Sequence, residues 1–326
     1  MSMLVLKRGL MDTIQDNGRY GYQHAGVNPG GSMDLFAANV ANILVGNFRN
    51  EPVIELHFPA SVFLFKKDCV IAITGADFEP EVDSKPVPIN TSIVVAKNAT
   101  LKFKKYKKGA RSYLAIHGEW NIEPWLNSYS TNTKAMAGGY KGRALRENDV
   151  IEVQRSKPTV KTSSTTVVLP ASVNQLNISI ADNVIRCVKG SEYNCLSEAS
   201  KTHLETNPFI INLQSDRMGY RLQGNNLTSD VNQQLLSTAV TRGTIQLLPS
   251  GQLVVLMADH QTTGGYPKVA HVISADLPML AQMRPNEEVR FKLVELKEAE
   301  DAYIGQQQYL QNLQETIQLQ LKQFLA

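Results

Sequence analysis

Cysteine is scarce in this chain: three residues among 326, Cys69, Cys187 and Cys195. None forms a CxxC pair, and so sparse and odd a set excludes a disulfide-stapled scaffold and fits a reducing compartment. An excess of charge of one sign is missing too. Against 33 Lys and Arg stand 30 Asp and Glu, for a net charge of +3, which gives no electrostatic ground for a nucleic-acid or membrane partner. Long apolar runs are absent, since no window approaches the ~20 residues of a membrane helix. The opening "MSMLVLKRGLMDT" has only a short apolar stretch before Lys7 and Arg8, too little for the core of a secretory signal. A cytoplasmic protein is expected.

The common catalytic signatures are also lacking. There is no GxxxxGK[ST] loop, no GxGxxG after a strand, no GxSxG elbow and no HExxH. His24, His57, His117, His203, His260 and His271 never fall at metal-ligand spacing, and Cys187, Cys195 and His203 lie too far apart for a zinc site, so no metal is expected.

What is present is apolar and strand-like. Hydrophobic residues make up 43% of the chain, enough for packed cores, and the length predicts two domains. The runs "SVFLF", "CVIAIT", "TSIVVA", "ATLKFKKY", "SYLAIHG", "DVIEVQ", "TTVVLP", "NVIRCVK", "PFIINLQ", "GTIQLLP" and "LVVLMA" are rich in Val, Ile and Thr and bounded by turn residues. Their density predicts a mainly β architecture of barrels or sandwiches. The basic run "KFKKYKK" alternates with Leu101 and Phe103, as a strand with a lysine-guarded outer face does.

Three segments follow a helical period instead. Phe36, Val40, Ile43 and Leu44 share one face, with Ser32 or Asp34 as N-cap and Gly46 past the end. "SADLPMLAQMRP" offers Asp276 as N-cap, Pro278 in the first turn and a stop at Pro285. In the tail, Leu310, Leu313, Ile317, Leu321 and Phe324 form a seam with a period near ~3.5; it either docks on its own barrel or pairs with a partner chain. The Pro- and Ser/Thr-rich stretch after Gln154 marks a boundary. The expected division is residues 1–165, residues 166–296 and a C-terminal helix over 297–326.

Four loops carry the polar chemistry. "TIQDNGRYGYQH" holds Gln15, Asp16, Arg19 and Gln23, and "QSDRMGYRLQG" holds the Asp216-Arg217 pair. Both fit ordinary loops tied to the backbone by side chains, or arginines gripping a planar carboxylate or phosphate. "GVNPGGSMD" fits a tight turn at Pro29 and Gly30, or a row of N–H groups from Gly30 and Gly31 cradling an anion. "DHQTTGGYPK" is far longer than a hairpin turn needs. Thr262, Thr263, Gly264 and Gly265 can present hydroxyl and N–H donors to an oxyanion, Lys268 a charge, and Asp259 or His260 a proton-transfer group.

Taken in order, "TIQDNGRYGYQHAGVNPGGSMD", "AANVANILVGN", "ITGADF", "GARSYLAIHG", "GRALRENDVI", "SDRMGYRLQG" and "DHQTTGGYPKVAHVISADLPMLAQMRPNEEVRF" resemble the carboxyltransferase subdomain family. That family includes the C-type component of bacterial 5-oxoprolinase (also described as the antagonist of a sporulation-kinase inhibitor), allophanate hydrolase subunit 2 and part of urea carboxylase. The resemblance implies two cyclophilin-like β-barrel domains with few short helices. It implies a B-type subunit of related fold and an A-type subunit as partners, with ATP, and Mg beside it, used in the complex to open the lactam of 5-oxoproline. Alternatives within the resemblance are a biotin-dependent urea carboxylase-like system, with biotin on another chain and a urea-like substrate, and a non-enzymatic antagonist binding a kinase-inhibitor protein.

The family pattern maps onto Gln15, Asp16, Gly18, Arg19, Asp34, Asn42, Gly75, Asp77, Asp216, Arg217, Gly219 and the run Gln261, Thr262, Thr263, Gly264, Gly265, Tyr266, Pro267 and Lys268. Expected catalytic residues are Asp216, Arg217, Asp259, His260, Thr262 and Thr263. Expected substrate contacts are Gln15, Asp16, Arg19, Gly30, Gly31, Asp34, Gln261, Gly264, Gly265, Tyr266 and Lys268. The chain departs from the pattern at Gly30, where serine is common, at His260, where arginine is usual, and at Asn127 and Tyr129, where glycine and arginine are frequent.

Overall fold

A computed structural model describes residues 2–154, 167–172, 183–229 and 235–325. The chain divides into two compact units. The first comprises Met1–Arg19, Asp34–Asn177 and Gln308–Ala326, the second Tyr20–Met33 and Ile178–Gln307. The boundary expected after residue 165 lies outside the described residues.

In the first unit, seven strands form one sheet in the order Glu119–Trp120, Val150–Gln154, Ser2–Lys7, Val62–Phe65, Thr100–Phe103, Pro80–Val82 and Lys85–Pro86. A second sheet runs Val167–Ser172, Thr91–Val95, Cys69–Asp77, Lys108–Ile116, Val53–Leu56 and Thr13–Gln15. Alternate residues of both, such as Met3, Val5, Phe63 and Phe65 from one and Ile54, Ile71, Ile73 and Leu114 from the other, meet in one buried core. The period-2 pattern thus selects a face for each strand. Helix α1, Leu35–Leu44, is the helix expected from Phe36, Val40, Ile43 and Leu44, with the Asp34 carboxylate accepting from Ala37 N at 2.8 Å as N-cap.

The second unit holds a closed barrel in the order Val184–Lys189, Lys268–Val272, Thr244–Leu247, Leu253–Leu256, Gly219–Gln223, Phe209–Ile211 and Glu288–Leu293. It closes through the parallel pairing of its first strand with its last, Val184 opposite Arg290. Its core gathers Ile185, Phe209, Phe291, Ile245, Val255 and Leu280. Helix α2 is Glu198–Thr206, and helix α3, Leu277–Ala281, starts after Asp276 with Pro278 in its first turn. Helix α4 is Leu296–Leu325; its residues Leu310, Ile317 and Leu321 are buried.

The expectation of two cyclophilin-like barrels is corrected here. Among the described residues one barrel closes, and the strands of the first unit lie in two open sheets. Strand-rich sequence fixes faces but not closure, which depends on pairing between remote strands. At one edge of the seven-stranded sheet, Pro86 has no N–H to extend the ladder.

Candidate active site

In the first unit the loop after Thr13–Gln15 is bound to residues 125–131. The Asp16 carboxylate accepts from Gly18 N at 2.8 Å, Ser128 Oγ at 2.8 Å, Tyr129 N at 2.6 Å and Ser130 Oγ. Three of these donors converge on Oδ1 and one on Oδ2, which holds the carboxylate in place. Arg19 is buried, donates to Ser130 O, and has its guanidinium carbon 4.6 Å from the Trp125 ring centroid, a cation–π contact. Gln15 Nε2 donates to Thr13 Oγ1 at 2.9 Å and Thr131 O at 3.4 Å. The Asp34 N–H donates to Tyr113 Oη at 2.7 Å, and that hydroxyl donates to Glu55 Oε2 at 2.9 Å. Burial, then the Glu55 charge, raise the Tyr113 hydroxyl well above the usual phenol range, so it keeps its proton. The four expected substrate contacts of this unit are therefore engaged with their own protein.

The second unit interlocks three loops with two guanidinium groups. Arg217 bonds Asp259 bidentately, Nε to Oδ2 at 2.8 Å and Nη2 to Oδ1 at 3.1 Å, and its Nη2 also donates to Gly31 O at 2.6 Å. The backbone repeats the link, with Asp259 N donating to Arg217 O at 2.8 Å. Arg242, which the sequence motifs did not single out, donates Nη1 to Ser32 O at 3.0 Å and Nη2 to Met33 O. Nothing periodic marks it; the only signal is a long cation just before the turn at Gly243, where φ is +91°. Gly30 and Gly31 have φ of +65° and +93°, a region that glycine enters without Cβ strain, and this turn delivers three consecutive carbonyls to the two arginines.

His260 is buried beside this junction. Its Nδ1 lies 2.5 Å from Gln261 O. A carbonyl only accepts, so Nδ1 carries the proton and neutral His260 presents a bare Nε2. Burial, followed by the Arg242 charge, lowers its pKa below the ordinary 6.5, against upward pulls from the Gln261 carbonyl and Asp259. The imidazole is thus neutral near pH 7.

Beyond His260 the long loop is anchored at its edges. Thr262 O accepts Val240 N at 3.1 Å, and Thr263–Gly264 pairs with Thr238–Ala239. A Cβ on Gly264 would lie 2.6 Å from the Gln246 amide nitrogen, which accounts for one glycine by close packing. Gln261, Thr263 and Tyr266 are exposed, and Gly265 is half-buried. Lys268 Nζ is 2.8 Å from Thr238 Oγ1 and 3.2 Å from Glu192 Oε2. Asp216 is exposed and turns its carboxylate to its own backbone, accepting from Met218 N at 2.8 Å.

The structure thus joins Gly31, Arg217 and Asp259 by direct bonds, with Gly30 and His260 next to them in the chain, and ties the Thr262–Gly264 segment to Thr238–Ala239 and Val240. It places Gln15, Asp16, Arg19 and Asp34 in the other unit. The expected phosphate cations do not fit a triphosphate: Arg217 is neutralised by Asp259 and Lys268 by Glu192. Among the described residues no cluster of His, Cys, Asp and Glu could hold a metal ion. Neither buried cysteine is poised as a nucleophile, since burial pushes the Cys187 thiol up to about 12 and Cys69 higher still. No helix among the described residues is long and apolar enough to cross a membrane.

A family model described as carboxyltransferase domain, subdomain A and B, matches residues 25–293. The chain is 38% identical to the C-type 5-oxoprolinase subunit of Haemophilus influenzae over 287 residues, covering 88% of this chain and 89% of that protein. It is 35% identical to the protein of the same name from Escherichia coli over 309 residues, covering 95% and 96%. The crystal structure of the K. lactis urea amidolyase superposes with a TM-score of 0.85 at 24% identity, a likeness of fold. This chain spans 96% of its own length there but only 20% of that longer chain. Relatives named as subunits of an enzyme support a role of carboxyltransferase or hydrolase type. By the extent of these matches, the chain belongs to the carboxyltransferase domain family, subdomains A and B.

Proposed function

We propose that this chain is the C-type component of a cytoplasmic ATP-dependent 5-oxoprolinase, which converts 5-oxoproline, ATP and water to glutamate, ADP and phosphate. It works with a B-type subunit of related fold and an A-type subunit. The observation that carries the reading is the 38% and 35% identity to two proteins of that name over nearly their whole lengths.

Because Arg217 is committed to Asp259 and Lys268 to Glu192, activation of the lactam oxygen by ATP is assigned to a partner chain. The residues here do the rest. Arg217 and Arg242 are positioning residues that fix the glycine turn. The exposed Thr263 hydroxyl donates to the lactam oxygen as charge develops on it. His260 Nε2 takes a proton from the water that attacks the activated lactam carbon and returns it to the ring nitrogen as the C–N bond breaks, so that the nitrogen leaves as an amine. The activated carboxyl is then released as carboxylate and phosphate by water.

The test is co-expression with the neighbouring B-type and A-type proteins and measurement of phosphate release against 5-oxoproline, urea and related lactams. Release stimulated by 5-oxoproline alone is expected; stimulation by urea instead would replace the reading. The description of the family as a carboxyltransferase favours a second reading, half of a biotin-dependent carboxyltransferase acting on a urea-like amide. Avidin capture of a biotinylated carrier together with this chain separates the two.

A further inference from the structure

Residues between Asp77 and Lys107 line a cleft of about 440 Å³ that lies wholly in the first unit. Its size falls within the roughly 300–1,000 Å³ of small-molecule sites. None of its residues belongs to the candidate active site, and Asp77 is a family-pattern position to which no role has been given. Pro80, Val87, Pro88 and Ile89 supply an apolar wall. The backbone offers almost no donors there. Prolines have no N–H, and the N–H groups of Glu79, Val87, Lys104 and Lys107 are already donated to Asp77 Oδ1, Pro80 O, Glu79 O and Asp77 O.

The charged side of the cleft carries three carboxylates, Asp77, Glu79 and Glu81, against the two ammonium groups of Lys104 and Lys107. Lys104 pairs with Glu81 at 3.3 Å and Lys107 with Asp77 at 3.2 Å. The lysine side chains are 67% and 64% exposed and those carboxylates 16% and 22%, so the acids sit inward and the cations reach out to water. Glu79 is half-buried and has no side-chain hydrogen bond or ion pair among the described residues. The inner cleft therefore combines acceptors, an uncompensated carboxylate and an apolar wall. Among the described residues no cluster of carboxylates could hold a metal ion, which leaves an organic cation. We propose that this cleft binds a compact organic monocation, a primary ammonium on a short apolar stem: the ammonium donates to Glu79 and the stem packs against Pro80, Val87, Pro88 and Ile89. Lys85, Lys102 and Lys105 are exposed on the neighbouring chain segments, so an extended polycation is repelled where a compact one is not.

The test is calorimetric titration of the full chain with n-butylammonium, methylammonium, n-butyrate and spermidine. Saturable binding of n-butylammonium with a Kd of about 1 mM or tighter is expected. Methylammonium, which lacks the stem, should bind at least roughly tenfold more weakly, and n-butyrate should not bind. Glu79→Gln keeps the size of the side chain and removes its charge, and should weaken n-butylammonium at least roughly tenfold with the thermal melt unchanged. Ile89→Ala, which trims the apolar wall, should weaken n-butylammonium and leave methylammonium as it was, and this arm holds even if Glu79→Gln is unstable. No saturable binding of n-butylammonium, equal binding of n-butyrate, or equal affinity in parent and both variants overturns the proposal. Tighter binding of spermidine than of n-butylammonium would also overturn it, because diffuse surface charge would then be the cause.

Discussion

At the scale of single residues, the arginines in this chain act first as struts. Side-chain exposure is 8% for Arg217 and 18% for Asp259, so breaking the pair leaves a charge stranded in a poorly solvated place. Arg217→Ala should therefore lower stability by about 3 kcal/mol in urea unfolding followed by circular dichroism. Replacing both partners, Arg217→Met with Asp259→Leu, should recover most of that loss, and a double variant as weak as the single one would refute the buried-pair account. Asp12 gives a pH-dependent counterpart in the first unit. It is fully buried and accepts from His57 N at 2.9 Å and Ser61 N at 2.6 Å. Burial is the largest influence and raises its pKa from 3.8 to about 6. The folded state then holds the proton more tightly than the unfolded chain. The resulting stabilisation, up to about 3 kcal/mol, is complete below the unfolded value and is lost as pH rises through about 6. Relative to Asp12→Asn, the parent should gain stability as pH falls from 7 toward 4; parallel pH profiles would contradict the shift.

Legibility at this scale depended on whether a residue's partners are local. Asp34 as N-cap could be read because its partner Ala37 N is three positions away. The bond from Arg242 to Ser32 spans 210 positions, and no periodicity encodes it. The expectation that Asp16, Arg19 and Arg217 bind ligand came from residue type, which records what a side chain can do. The bonds these residues already make show what the fold has done with them.

Among the elements, α1 and α4 were visible from their apolar stripes and α3 from Asp276, Pro278 and Pro285, whereas α2 was not. Helix α2 was not expected, because only Leu204 and Ser200 of Glu198–Thr206 are buried, and it depends on Ser197 as N-cap to Ser200 N at 3.2 Å. The strands "CVIAIT" and "GTIQLLP" lie where their apolar runs placed them, at Cys69–Asp77 and Thr244–Leu247. Among the described residues one set of strands closes into a barrel, and this was not legible, since it rests on the remote pairing of Val184–Lys189 with Glu288–Leu293. Helix α4 offers an internal control on its seam. Leu310→Ala and Ile317→Ala, at buried positions, should each destabilise by about 2–4 kcal/mol. Leu319, 76% exposed on the same helix, should change stability by less than about 0.5 kcal/mol when replaced by alanine. Equal effects at all three positions in denaturant melts would place the seam elsewhere.

For the whole molecule, the proposed function makes this chain a stiff holder of loops whose chemistry is completed by other subunits. The pH profile of the assembled enzyme follows from His260. Because burial and Arg242 depress the His260 pKa, the acid limb of turnover should lie below pH 6.5, and His260→Gln should remove that limb along with most of the rate. A limb unchanged in the variant would assign it to another group. The central claim meets its most direct test in 5-oxoproline-dependent phosphate release by the reconstituted three-subunit complex, measured with the parent chain, with His260→Gln and with this chain omitted. Release should require this chain and fall at least roughly tenfold in the variant, equivalent to 1.4 kcal/mol. Undiminished release from the mixture without this chain, or from the mixture containing His260→Gln, would contradict the claim.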